Sequence, residues 1–69
     1  MATVTLHNYR TGELRREFFL TRVAAIKAQK EVVESWEADE FQIFRLEGKE
    51  NSVFAYSDEG KTFWSVSID

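Results

Sequence analysis

The sequence predicts an α+β fold: a single amphipathic helix packed on an antiparallel sheet of about five strands, in the order ββαβββ. Three observations predict it. Thr21 to Glu37 is the one long stretch with a helical period. Short runs of Val, Leu, Ile, Phe, Tyr and Trp alternate with polar residues on either side of it. Single glycines or polar clusters separate those runs, too close together for anything but antiparallel neighbours. The 69 residues form one domain, 1–69, with a core that must be economical at this length.

The first strand spans Ala2 to Tyr9, with Val4 and Leu6 alternating against Thr3, Thr5, His7 and Tyr9. Arg10-Thr11-Gly12-Glu13 reverses the chain, and Leu14 to Leu20 returns as the second strand of a hairpin. Thr21 is placed to cap the helix, with Leu20 before it as a hydrophobic staple. In the helix, Ala25, Ile26, Ala28, Gln29, Val32, Val33 and Trp36 fall on one arc and form the expected core face. Lys27, Lys30, Glu31, Glu34, Ser35 and Glu37 fall opposite. Lys27 with Glu31 and Lys30 with Glu34 are spaced to pair, each worth about 0.2–0.5 kcal/mol. Even so, the basic residues lie toward the helix N-terminus and the acidic ones toward its C-terminus, against the helix dipole.

The polar run Glu37-Ala38-Asp39-Glu40 ends the helix without glycine or proline. Phe41 to Glu47 is the third expected strand, with Phe41, Ile43 and Arg45 on one face and Gln42, Phe44 and Leu46 on the other. Turns at Gly48 to Asn51 and Asp58 to Lys61 bound a fourth strand, Ser52 to Ser57, and a fifth follows from Thr62 to Ile68.

Composition narrows the function. There is no cysteine, which excludes disulfides, thiolate zinc sites and cysteine nucleophiles. His7 is the one histidine; it could act as a base toward Ser52, Ser57 or Ser65, but no motif supplies an orienting acid or an oxyanion hole. Glu37, Asp39 and Glu40, and separately Asp58 and Glu59, cluster without the spacing of a calcium loop. No catalytic, cofactor or metal site is therefore assigned, and the expected protein is not an enzyme. The apolar runs are too short to cross a membrane, and MATVTLHNYR has no charged leader followed by a hydrophobic region, so a cytoplasmic setting in a host cell is expected.

The net charge of −3 conceals a division. Residues 1–30 carry Arg10, Arg15, Arg16, Arg22, Lys27 and Lys30 against Glu13 and Glu17, whereas residues 31–69 carry three cations against ten carboxylates. Such asymmetry points to an interaction surface. The candidate partner-binding residues are Arg10, Arg15, Arg16, Arg22, Lys27 and Lys30, with Glu31 and Glu34 on the same exposed helix arc. The paired aromatics Phe18-Phe19 and Phe63-Trp64 add a second feature: neighbours in a strand point to opposite faces, so one ring of each pair leaves the side the helix covers. Those outer rings either shield a thin sheet or form an interface.

The segment Leu20-Thr21-Arg22-Val23-Ala24-Ala25-Ile26-Lys27, the strand Gln42-Ile43-Phe44-Arg45-Leu46-Glu47 and the run from Asn51 to Trp64 resemble small phage anti-CRISPR proteins, above all an inhibitor of the type I-F surveillance complex. The resemblance lies in element order and a turn. It implies one helix wrapped by a five-stranded antiparallel sheet, and an inhibitor that binds Cas backbone subunits along the guide RNA and blocks target pairing through basic helix residues. Lys27 and Lys30 stand on the matching helix, while Ala24 and Ala25 fill nearby positions and acidic residues follow, so no contact residue carries over one by one. The resulting expectation is a non-enzymatic inhibitor of a Cas effector complex. A small nucleic-acid-binding or regulatory domain, or a structural protein that forms a homodimer through its outer aromatics, is the alternative.

Overall fold

A computed structural model describes residues 1–57 and 62–69. Its element order is β1 (Ala2–Asn8), β2 (Leu14–Phe19), α1 (Arg22–Ala38), β3 (Gln42–Phe44), β4 (Ser52–Ser57) and β5 (Thr62–Ile68). The ββαβββ α+β prediction therefore holds. All strand pairings are antiparallel, in the order β2-β1-β5-β4-β3, so the first and last strands lie side by side within the sheet. The turn predicted at Asp58 to Lys61 lies outside the described residues.

The β1–β2 hairpin is closed by Asn8. Its Oδ1 accepts from Arg10 N at 3.0 Å and Thr11 N at 3.4 Å, and its backbone oxygen accepts from Gly12 N at 2.8 Å. Gly12 sits at φ 79°, the left-handed region a glycine enters without steric cost.

Alternation decides which face is buried. Ala2, Val4, Val53, Ala55, Val66 and Ile68 share the face beneath α1 and pack with Ala25 and Trp36. Leu6, Phe19, Ala28, Val32, Val33, Phe41, Ile43 and Trp64 extend that core. Ile26, expected on the core arc, lies at its rim and is exposed. Ala25, with no side chain beyond Cβ, is fully buried and lets the helix backbone lie close to the sheet.

Gln29 joins the layers by hydrogen bonding, its Nε2 donating to Asn51 O at 3.1 Å and Val66 O at 2.9 Å. Gln29→Ala leaves those carbonyls without this donor and is expected to cost about 1–2 kcal/mol. Urea unfolding measures it; a midpoint equal to wild type would mean that the amide contributes nothing net.

Thr21 caps the helix as predicted, its Oγ1 accepting from Ala24 N at 3.2 Å. The staple does not form, because Leu20 is 86% exposed. The Lys27–Glu31 and Lys30–Glu34 pairs do not form either; these side chains make no ion pair with one another. The first turn carries no acidic residue and the last no basic one, so the charges do oppose the dipole.

At the C-terminus Phe41 N donates to Trp36 O and Glu40 N to Glu37 O, both at 3.0 Å. This is a Schellman closure with Glu40 at φ 63°, where glycine is usual. A side chain in that conformation costs on the order of 1 kcal/mol. Glu40→Gly is thus expected to raise the melting temperature by roughly 4–8 °C; a fall would mean that the glutamate side chain contributes more than its backbone strain removes.

The third strand is shorter than expected. Arg45, Leu46 and Glu47 leave the sheet because Leu46 O accepts from Lys49 N at 3.1 Å and Lys49 O from Ser52 N at 3.1 Å, while Gly48 turns at φ 80°. Closing that loop draws the chain away from β4.

Candidate functional site: the open sheet face

The helix lies over one face of the sheet and leaves the other open. Strand register places Leu14, Arg16 and Phe18 of β2, Thr3, Thr5 and His7 of β1, Phe63, Ser65 and Ser67 of β5, Ser52, Phe54 and Tyr56 of β4, and Gln42 and Phe44 of β3 on that open face.

The face has two zones. At one end the rings of His7, Tyr9, Phe63, Phe44 and Phe54 form a continuous cluster. Tyr9 lies 3.8 Å from His7 and meets Phe63 edge-on at 5.0 Å. Phe44 stacks on Phe54 at 5.5 Å, and Phe63 touches both, at 5.7 and 6.0 Å. Phe54 is 6% exposed although no helix covers it, so these rings make a second, small core on the outer side. Tyr9 and Tyr56 stay accessible at its surface, 47% and 37% exposed.

The other zone is a row of hydroxyls ending in a guanidinium. Ser52 Oγ and Ser67 Oγ lie 3.0 Å apart. Ser67 stands opposite Thr5, and Thr5 opposite Arg16. Among the described residues, Arg16 is the one charged group of the strands on this face, and the carboxylate nearest it in register is Asp69, beyond the end of β5 and bonded through its backbone to Thr3.

At the β2 end, Met1, Phe18 and Leu20 are strongly exposed, as is Val23 on the first turn of α1. Exposed apolar groups, two accessible tyrosines and a single cation are the composition of a docking surface.

The eight predicted partner-binding residues are spread over several elements. Arg10 is at the hairpin tip. Arg15 and Arg16, adjacent in a strand, point to opposite faces. Arg15 lies on the helix side, where its Nε meets Glu13 Oε1 at 2.8 Å with both side chains largely in solvent, a pair worth little to stability. Arg22 donates to Asn51 Oδ1 at 3.0 Å and braces the helix against the β3–β4 loop. Lys27, Lys30, Glu31 and Glu34 are exposed on α1, and Lys30 and Glu34 line a groove beside Arg45 and Val53. The eight candidates are thus divided between the hairpin, both faces of β2 and the helix, and Arg16 is the one that reaches the open face.

His7 stands directly opposite Ser65. Ser65 is 3% exposed, however, and its hydroxyl donates to Tyr9 Oη at 3.3 Å, while the other cross-strand neighbour of His7 is Leu14. No orienting carboxylate stands beside this histidine in register. Among the described residues no three histidine or carboxylate side chains gather as a cation site would require, so Glu37, Asp39 and Glu40 remain separate; Asp58 and Glu59 lie outside the described residues. No helix is long and apolar enough to cross a membrane.

Tyr9, Phe44 and His7 carry the open face but are missing from the charge-based selection. Their signal was the strand alternation itself, which sets them on the side opposite Leu6 and Ile43. The chain matches no protein-family model, no curated protein and no solved structure.

Proposed function

We propose that this protein is a non-enzymatic inhibitor that docks its open sheet face on a protein surface of a nucleic-acid-handling effector. The observation that carries the reading is the face itself: a self-supporting aromatic cluster with Tyr9 and Tyr56 accessible, a row of hydroxyls, and Arg16 as the charge of its strands. Tyrosine and arginine are the residues on which interface energy concentrates. A surface of this kind needs no chemistry to inhibit, since it acts by occupying space. The resemblance to phage anti-CRISPR proteins makes a Cas effector complex of type I-F the partner to test, with the host cytoplasm as the place of action.

Single-stranded nucleic acid is the second reading, favoured by the close Tyr9–His7 ring contact beside hydroxyls and a guanidinium. Against it, Phe44, Phe54 and Phe63 pack on one another and are not splayed as separate platforms for bases, and the cations are dispersed.

Titrating the purified surveillance complex and, separately, an oligo(dT) strand distinguishes the two. The protein-docking reading predicts saturable binding to the complex that changes a few-fold at most when salt rises from about 0.05 to 0.2 M. Binding to oligo(dT) that falls steeply with salt, at about 0.7 decades of affinity per decade of salt for each phosphate contact, would replace that reading with the second. Absence of binding to the complex would remove the inhibitor assignment.

A further inference from the structure

We infer that the outer edge of β2 is a pairing edge for a second copy of this chain, and that two molecules join there as a two-fold antiparallel dimer centred on Arg16. The strand order leaves two edges, β2 and β3. The latter is three residues long, whereas β2 runs six residues in unbroken register with β1.

Which of its backbone groups are free follows from the hairpin. Asn8 N donates to Glu13 O at 2.9 Å, and an antiparallel ladder alternates from there. Residues 13, 15, 17 and 19 therefore bond toward β1, and Leu14, Arg16 and Phe18 turn their amides and carbonyls outward. No other segment of the described residues pairs with them. The chain contains no proline and β2 pairs with β1 without a bulge, so neither a missing amide nor a kink interrupts this edge; its guarding charges, Arg15, Arg16 and Glu17, are what a pairing register must accommodate.

Side-chain chemistry selects both the occupant and the register. With the axis at Arg16, outward groups face outward groups, which gives about six inter-chain hydrogen bonds. Leu14 then stands opposite the second copy's Phe18, both now exposed on the open face. On the other face Arg15 stands opposite the second copy's Glu17, and by symmetry this ion pair forms twice. Sliding the strands by one residue sets outward groups against bonded ones. Moving the axis to Glu17 places the two glutamates together and Arg15 against Phe19; moving it to Arg15 places two arginines together on the helix side. The unfavourable contact in the preferred register is Arg16 with its own copy, on a side chain long enough to turn aside into solvent. Of the registers that oppose outward groups along the whole of β2, this is the one that sets Arg15 against the second copy's Glu17 on the helix side, and that complementarity identifies a second copy as the partner.

Sedimentation velocity of the full chain over a concentration series tests this without any other partner, so its outcome is separate from that of the open-face reading. The wild type is expected to move from monomer to dimer mass as concentration rises. Arg15→Glu and Glu17→Arg should each weaken association at least about tenfold, and the Arg15→Glu/Glu17→Arg double variant should restore it, because the pair is then reversed and not lost. Arg16→Pro removes an amide that β1 does not use, so its circular dichroism should match wild type while the chain stays monomeric. Arg16→Gln should strengthen the dimer. A wild type that stays monomeric throughout, a dimer that survives Arg16→Pro, or single reversals that the double variant fails to rescue would each overturn the inference.

Discussion

Trp36→Ala is expected to remove a third or more of the stability of the chain and to lower its melting temperature by more than about 10 °C. Trp36 is 6% exposed and is the largest side chain that α1 buries. It sits one turn before the Schellman closure, where it belongs to the same core as Val53, Ala55 and the partly buried Phe41 and Ile43. Truncating a buried tryptophan to alanine costs about 3–5 kcal/mol in lost transfer energy and cavity. A 69-residue domain has a total stability of roughly 3–10 kcal/mol, so this one change removes a third of it or more. Thermal melting by far-ultraviolet circular dichroism measures the loss. Val23→Ala, at a site 78% exposed, serves as the control and should move stability by less than about 0.5 kcal/mol. A Trp36→Ala protein melting cooperatively within a few degrees of wild type would mean that the core is organised elsewhere.

The second large effect concerns binding. Under the proposed function, Tyr9→Ala with Tyr56→Ala is expected to weaken capture of a type I-F surveillance complex by about thirty-fold or more, the consequence of losing roughly 2 kcal/mol at an aromatic anchor. The fold should persist, because both rings lie at the accessible surface of the outer cluster and the helix-side core is untouched. Some loss of stability is expected from the Tyr9 contacts with His7 and Phe63, and a circular dichroism spectrum matching wild type separates that from unfolding.

Much of the fold was legible because its signals are local. Val4 and Leu6 against Thr5 and His7 set one period, Ala25 to Trp36 another, and Thr21 and Gly12 mark a cap and a turn that do form. Other local signals gave way to tertiary context. Leu20 has the sequence position of a staple but stays in solvent, and Arg45 to Glu47 have the alternation of a strand but are drawn into a turn.

The proposed docking surface was less legible, since charge was the most visible pattern and its members are spread over several elements. Arg15 and Arg16 illustrate why: adjacency in a chain reads as a cluster, yet in a strand it places the two side chains on opposite faces. The open face depends instead on the long-range pairing of β1 with β5. That pairing brings His7 beside Ser65, and Tyr9 beside Phe63, across more than fifty residues. No turn length or local propensity specifies such a contact.

The central claim is that the open sheet face, and not the charged helix, meets the partner. Its most direct test is the affinity of the surveillance complex for two variants measured side by side: Tyr9→Ala/Tyr56→Ala on the open face, and Lys27→Glu/Lys30→Glu on the helix. The open-face variant is predicted to lose about thirty-fold or more while the helix variant stays within a few-fold of wild type. The reverse order, with steep loss from the lysine reversals and unchanged binding without the tyrosines, would contradict it.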